Sequence, residues 1–162
     1  MQVILKAVAL FILLMPMQNG ASADVTVGMG ISPWHSGIGL NVGLRGERDL
    51  KTVSFGCATI YYSSVHGWDA KCGGGIGWIR GGILPRLGDN HALGVHANAF
   101  SLIHDSGSPE RNVKTEYRLD VSYIYFFRGV GKPGFHIGSS PLSYEYNEGL
   151  RVGPSIVLGY QF

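Results

Sequence analysis

The chain has 162 residues, 13 basic and 11 acidic side chains for a net charge of +2, and two cysteines. That near-balance excludes a nucleic-acid-binding surface or an acidic tail as the basis of function. Its 25 glycines exceed the average share of about 7% and fall mostly inside strand-like segments, which excludes a collagen repeat or a low-complexity linker.

Residues 1–23 read as a secretory signal peptide. Lys6 supplies a positive charge, Ala7 to Met15 is an unbroken apolar run, Pro16 breaks it, and Ala21-Ser22-Ala23 is a small-residue cleavage site. The run is shorter than the roughly 20 residues a membrane-spanning helix requires. No cysteine stands at the cleavage point, so a lipoprotein anchor is not expected. The mature domain, residues 24–162, is one domain by length.

From Asp24 onward, apolar residues recur at every second position. That period gathers them on one face of a strand. No segment carries a helical period. The first two strands are expected over about 24–32 and 37–46, with Val25, Val27, Met29 and Ile31, then Ile38, Leu40, Val42 and Leu44, on the apolar face. The third, about 51–62, aligns Val53, Phe55, Cys57, Thr59 and Tyr61. The fourth, about 71–82, carries Ile76 and Trp78 among many glycines. The fifth, about 91–103, sets Leu93, Val95, Ala97 and Ala99 opposite Gly94, His96 and Asn98. The sixth, about 113–128, is the most regular, with Tyr117, Leu119, Val121, Tyr123 and Tyr125 facing away from Glu116, Arg118 and Asp120. The seventh begins near Gly134 and is expected to be interrupted at Pro141. The eighth, about 150–162, alternates to the last residue.

Eight such strands fit the smallest transmembrane barrels, whose strands need about 9–11 residues. Closure satisfies every backbone group. The terminal Tyr160-Gln161-Phe162 resembles the C-terminal signature of bacterial outer-membrane β-barrels, with Val157 where those chains often carry glycine. The resemblance covers the export signal, the alternating body and the final strand, and it is to the class. It implies an all-β, eight-stranded antiparallel up-and-down transmembrane barrel in the bacterial outer membrane. It also implies contact with outer-membrane lipid and lipopolysaccharide, insertion by the barrel assembly machinery, and a monomer without cofactors. The rival is a secreted soluble barrel, which reverses the logic, with apolar residues inside and polar ones outside. Here the second face holds too many glycines and too few lysines to coat a soluble exterior.

The inward polar set is then Asn41, Arg45, His96, Asn98, Glu116, Arg118, Asp120 and Arg151. Charges buried there must pair. A closed salt-bridged lumen, with Arg45, Arg118 and Arg151 against Glu116 and Asp120, is expected over a narrow pore. Trp34 and Trp68, with Tyr160 and Phe162, are expected as membrane-interface aromatics. His35, His66 and His104, with Asp69 and Asp105 nearby, fall in outer loops. Their spacing does not call for Zn²⁺ or Cu²⁺, and no metal is expected. If the third and fourth strands turn about Ser64-Val65, Cys57 faces Cys72. A disulfide is then expected, the alternative being two free thiols facing lipid or lumen.

Some eight-stranded outer-membrane barrels are lipid A deacylases with a His/Ser/acid triad near the C-terminus. The local match is Phe135-His136-Ile137-Gly138-Ser139-Ser140, followed by Glu145 and Glu148. That family spaces His and Ser two apart on one strand face. Here His136 and Ser139 fall on opposite faces, and His136 and Ser140 lie about 13 Å apart along a strand. No catalytic residues are therefore expected. The expected role is a non-enzymatic barrel with surface loops for adhesion, interaction or membrane integrity.

Overall fold

The computed structural model describes residues 23–63, 67–83, 86–104, 114–146 and 148–162. The expected signal segment up to residue 22, together with His66, Pro85 and Asp105, lies outside the described residues, as do the side chains of Asp69, His104 and Trp68.

Eight strands run in chain order: β1 Asp24–Ser32, β2 Gly37–Arg45, β3 Asp49–Ser63, β4 Gly67–Gly81, β5 His91–His104, β6 Lys114–Phe126, β7 Gly134–Glu145 and β8 Gly149–Gln161. Each pairs antiparallel with the next, and β8 closes on β1, giving an up-and-down barrel. The period-two alternation sorts the faces. Val25, Leu40, Phe55, Leu119 and Leu158 point outward and are exposed, Val25 to 75%. Thr26, Asn41, Ser54, Asn98 and Asp120 point into the lumen and are buried.

Glycines govern the inner face. A Cβ on Gly77 would lie 2.5 Å from Nδ1 of His96, one on Gly94 2.8 Å from its Nε2, and one on Gly159 2.6 Å from Nε2 of His136. These missing side chains are the sockets into which the imidazoles fit. At the end of the barrel that carries Asp24 and Phe162, hereafter the base, Leu50, Ile79, Ala92, Ile124 and Phe126 form an apolar layer. Val130 reaches into it from the β6–β7 turn.

Proline does not break β7. The β7–β8 register shifts between Ser140 and Leu142, and the β6–β7 register shifts between Val121 and Tyr123. The bulge takes up Pro141 together with Gly153 and Pro154 opposite it, so the strand continues to Glu145. The expected interruption is thus a local irregularity, the setting in which a sheet tolerates proline.

The wall is not even in height. β3 and β4 pair up to Ser63 and Gly67, and β7 and β8 up to Glu145 and Gly149. β1 and β2 pair only up to Ser32 and Gly37. The β1–β8 seam is shorter still, from Gly28–Gln161 to Ile31–Leu158. At the corner where β2 stops pairing with β3, at Ile38 and Cys57, Cys57 is bonded to Cys72 across β3 and β4. A register shift at Ala58 follows directly, so the hairpin above is offset by one residue from the expected turn.

Replacing both cysteines by alanine should lower unfolding stability by about 2–3 kcal/mol, because a loop of this length loses its closure constraint; equilibrium denaturation with and without reductant reads it. Gly159→Val should destabilise by about 1–3 kcal/mol through overpacking against the Met29 carbonyl and the His136 ring. Gly153→Val, on an inner face where a Cβ meets nothing within 4 Å, should leave the denaturation midpoint unchanged.

Candidate functional site

The lumen is the candidate site, and its centre is the turn between β1 and β2. Pro33–His35 form one 3-10 turn. Ser32 caps it, its Oγ accepting from the backbone N–H of His35, and Pro33 occupies the first turn, where a missing N–H is harmless. Ser36 ends it in the left-handed region at φ 55°, and Gly37 follows at φ 102°. A side chain at Gly37 would be strained there, and its Cβ would strike the backbone of Cys57 and Ala58. This tight, capped turn directs the chain into the barrel.

Trp34 is accordingly 1% exposed. It is not an interface aromatic, as the sequence led one to expect, but the central plug. Its indole N–H donates to Thr52 Oγ1 at 2.9 Å. Its ring lies 4.6 Å from that of His136, 5.0 Å from His35, 5.9 Å from Phe126 and 6.5 Å from His96. His35, expected in an outer loop, is fully buried and stacks on His136 with ring centroids 5.6 Å apart. Its Nδ1 is 2.7 Å from Ser32 Oγ. Both ring nitrogens of His96 and of His136 lack a hydrogen-bond partner among the described residues.

Above the plug runs a continuous polar chain. Ser36 Oγ is 2.7 Å from Ser54 Oγ and donates to Asn98 Oδ1 at 3.0 Å. Asn98 Nδ2 donates to Asp120 Oδ2 at 3.3 Å, and Arg118 Nε donates to the same oxygen at 2.9 Å. Arg118 also lies over the Phe100 ring, 5.1 Å from its centroid, with Lys71 over that ring at 5.8 Å. Lys71 pairs with Glu116, and Arg151 pairs with Glu148 and, at 3.8 Å, with Glu145.

The predicted inward set is therefore divided. Asn98, Arg118 and Asp120 are joined in the chain above the plug. Glu116 pairs with Lys71, which the sequence did not single out, and Arg151 pairs with Glu145 and Glu148. Arg45 sits at the base, away from Glu116 and Asp120. It donates to Thr26 Oγ1 and to the Phe162 carbonyl, while Gln161 Nε2 donates to Thr26 Oγ1 at 2.9 Å and to Asn41 Oδ1 at 3.2 Å. This cluster, with Thr26 also donating to the Phe162 carbonyl, ties β2 and β8 to β1 across the short seam. Tyr160 and Phe162 lie outward in an aromatic row with Phe135, at ring distances of 4.8 Å. The buried turn had a signal in the sequence: inner-face glycines on facing strands leave volume that something else must fill.

The charged groups of the lumen named above are paired, whereas the imidazoles of the plug are packed against rings with ring nitrogens left without hydrogen-bond partners among the described residues. His136 and Ser140 do not form a nucleophile–base pair. Ser140 Oγ donates to the Val121 carbonyl at 2.9 Å and accepts from Ser122, while His136 packs on Trp34 and His35. Ser32 Oγ makes two contacts with His35: it accepts from the backbone N–H as the cap of the turn, and it lies 2.7 Å from the ring Nδ1. Among the described residues no group of three or more His, Cys, Asp and Glu side chains is arranged to hold a metal ion. No protein-family model, no curated protein and no solved structure matches the chain.

Trp34→Ala should cost about 3–5 kcal/mol of unfolding free energy, the range for deleting a large buried aromatic. Equilibrium denaturation is the measurement. A loss below about 1 kcal/mol would mean that the plug does not support the wall.

Proposed function

We propose that this chain is a small, non-enzymatic outer-membrane barrel, exported through its N-terminal signal and crossing the membrane with its eight strands. The observation that carries this reading is inverted polarity. Large apolar side chains on all eight strands face outward and are exposed, among them Met29, Val42, Phe55, Trp78, Val95, Leu119, Ile137 and Leu158, while Arg45, Asn98, His96 and Asp120 are buried inside. In water that arrangement leaves a continuous apolar surface far beyond what soluble monomers expose. In a bilayer it is the stable one, since closure leaves no wall edge unpaired over the height where all eight strands are present.

The filled lumen supports a structural role over transport. Eight strands enclose an interior that side chains can fill, and here the Trp34 turn, the apolar base layer and the Ser54–Ser36–Asn98–Asp120–Arg118 chain occupy it. The barrel would then act as a rigid stave for its loops, in contact with lipid and lipopolysaccharide, and reach its place through the barrel assembly machinery. A narrow pore is the second reading, favoured by the charged layer above the plug, where Lys71, Arg118 and Arg151 face acidic partners.

Planar-bilayer recording separates the two. The wild-type protein should give no steady unitary conductance. A steady wild-type conductance that shifts on Arg118→Gln would replace the sealed barrel with the pore.

A further inference from the structure

Three imidazoles share the centre of the lumen with Trp34. His35, His96 and His136 are all fully buried. His35 and His136 stack with their planes 9° apart and their centroids 5.6 Å apart. Of their ring nitrogens, only His35 Nδ1 meets a partner, the Ser32 hydroxyl. His35 Nε2 and both ring nitrogens of His96 and His136 have none among the described residues. A Cβ on Gly30 would lie 2.7 Å from His35 Cε1, so this ring too sits in a glycine socket. As neutral rings the three imidazoles fill space; as cations they need partners.

The charged groups around them are engaged elsewhere. On β6, Asp120 stands in register with His96, but its Oδ2 accepts from Asn98 and Arg118. Arg118, on the same strand, is a second cation. On β2, Arg45 donates to Thr26 Oγ1 and to the Phe162 carbonyl. Lys71 on β4 and Arg151 on β8 are paired with Glu116 on β6, Glu145 on β7 and Glu148. The inward groups of β1 and β3 beside the plug, Ser32, Thr52 and Ser54, are neutral. A proton on His35 or His136 thus places a buried cation against another imidazole, and a buried charge without a partner is costly. The Trp34 ring offsets part of that cost for one cation, but not for two stacked on each other.

The turn that carries His35 is free to move by itself. β1 and β2 stay paired up to Ser32 and Gly37, so only the residues between them have to swing. The polar ties of the turn to the wall are Trp34 to Thr52 and Ser36 to Ser54 and Asn98. We propose that the Pro33–His35 turn is an acid-released plug: proton uptake by the stacked His35–His136 pair expels it from the lumen and opens the polar chain above it to water. The device needs the filled lumen and holds whether or not the barrel spans a membrane. An imidazole in water takes up its proton at about pH 6.5. The expelled state therefore binds more protons than the packed one. The packed plug is fully favoured above that pH, and the ratio of expelled to packed rises as pH falls below it. The rise is about tenfold per pH unit for each imidazole that stays neutral in the packed lumen.

The test uses the full chain folded in detergent micelles, with Trp68→Phe and Trp78→Phe leaving Trp34 as the single tryptophan of the original three. Acrylamide quenching of Trp34 is read between pH 7.5 and pH 5, and gel mobility without heating reports whether the barrel stays folded. Trp34 should be shielded at pH 7.5, and quenched reversibly at pH 5 in a barrel that is still folded. His136→Phe, which keeps a ring against Trp34, and His136→Gln should each make the response shallower by about tenfold per pH unit, one proton's worth. His91→Gln, on the outer face beside Tyr123, should leave the response unchanged. Trp34 shielded at pH 5, unfolding of the whole barrel at that pH, or an undiminished response in a folded His136 variant overturns the acid release. Trp34 quenched already at pH 7.5 overturns the filled lumen and the acid release with it.

Discussion

A closed eight-stranded wall leaves an interior only as wide as the side chains that fill it, and everything else in this structure answers to that limit. An inward tryptophan and three inward histidines exceed the space available unless other positions give up their side chains. Glycine at 77, 94 and 159 does so, each lying against an imidazole. The high glycine content is therefore a packing requirement of the lumen. In a strand such glycines weaken local structure; here closure of the ladder on all sides holds them in place.

The wall itself was legible in the sequence, because a period of two is read directly from residue order and needs no knowledge of partners. The strand positions and the division into an apolar and a small or polar face follow from it, whereas the opposition of Cys57 and Cys72 came from placing the turn at Ser64-Val65 and holds although the register above it shifts by one residue. The interior was less legible, for reasons that differ by residue. Ser32-Pro33-Trp34-His35-Ser36 reads as a short exposed loop, since sequence does not say whether a turn points away from the barrel or into it. The cap at Ser32 and the proline after it are helical-turn signals, and with the inner-face glycines they point to an inserted turn. Lys71 pairs with Glu116 only because β4 and β6 flank the same stretch of β5. Arg45 was grouped with distant carboxylates because alternation assigns a face but not a height. Pro141 was read as a break, although a bulge on β7 and β8 together absorbs it.

The short β1–β2 hairpin links the two halves of the molecule. The residues that would have extended those strands are spent as the plug, so the lumen is filled at the cost of wall height on one side. The seam next to that hairpin is also the shortest in the barrel. There the cluster of Thr26, Asn41, Arg45, Gln161 and the Phe162 carbonyl adds side-chain hydrogen bonds between strands whose backbone pairing is brief. Buried hydrogen bonds with a charged partner are worth more than neutral ones, which suits a guanidinium to this position.

The two strands beside the short β1–β2 hairpin, β3 and β8, each carry an irregularity, as the β6–β7 pair also does. On β3 the disulfide stands where pairing with β2 ends, and a bulge follows it. On β8 the register shift against β7 falls at Gly153 and Pro154. Each is a device that steadies or blunts a strand lacking a neighbour.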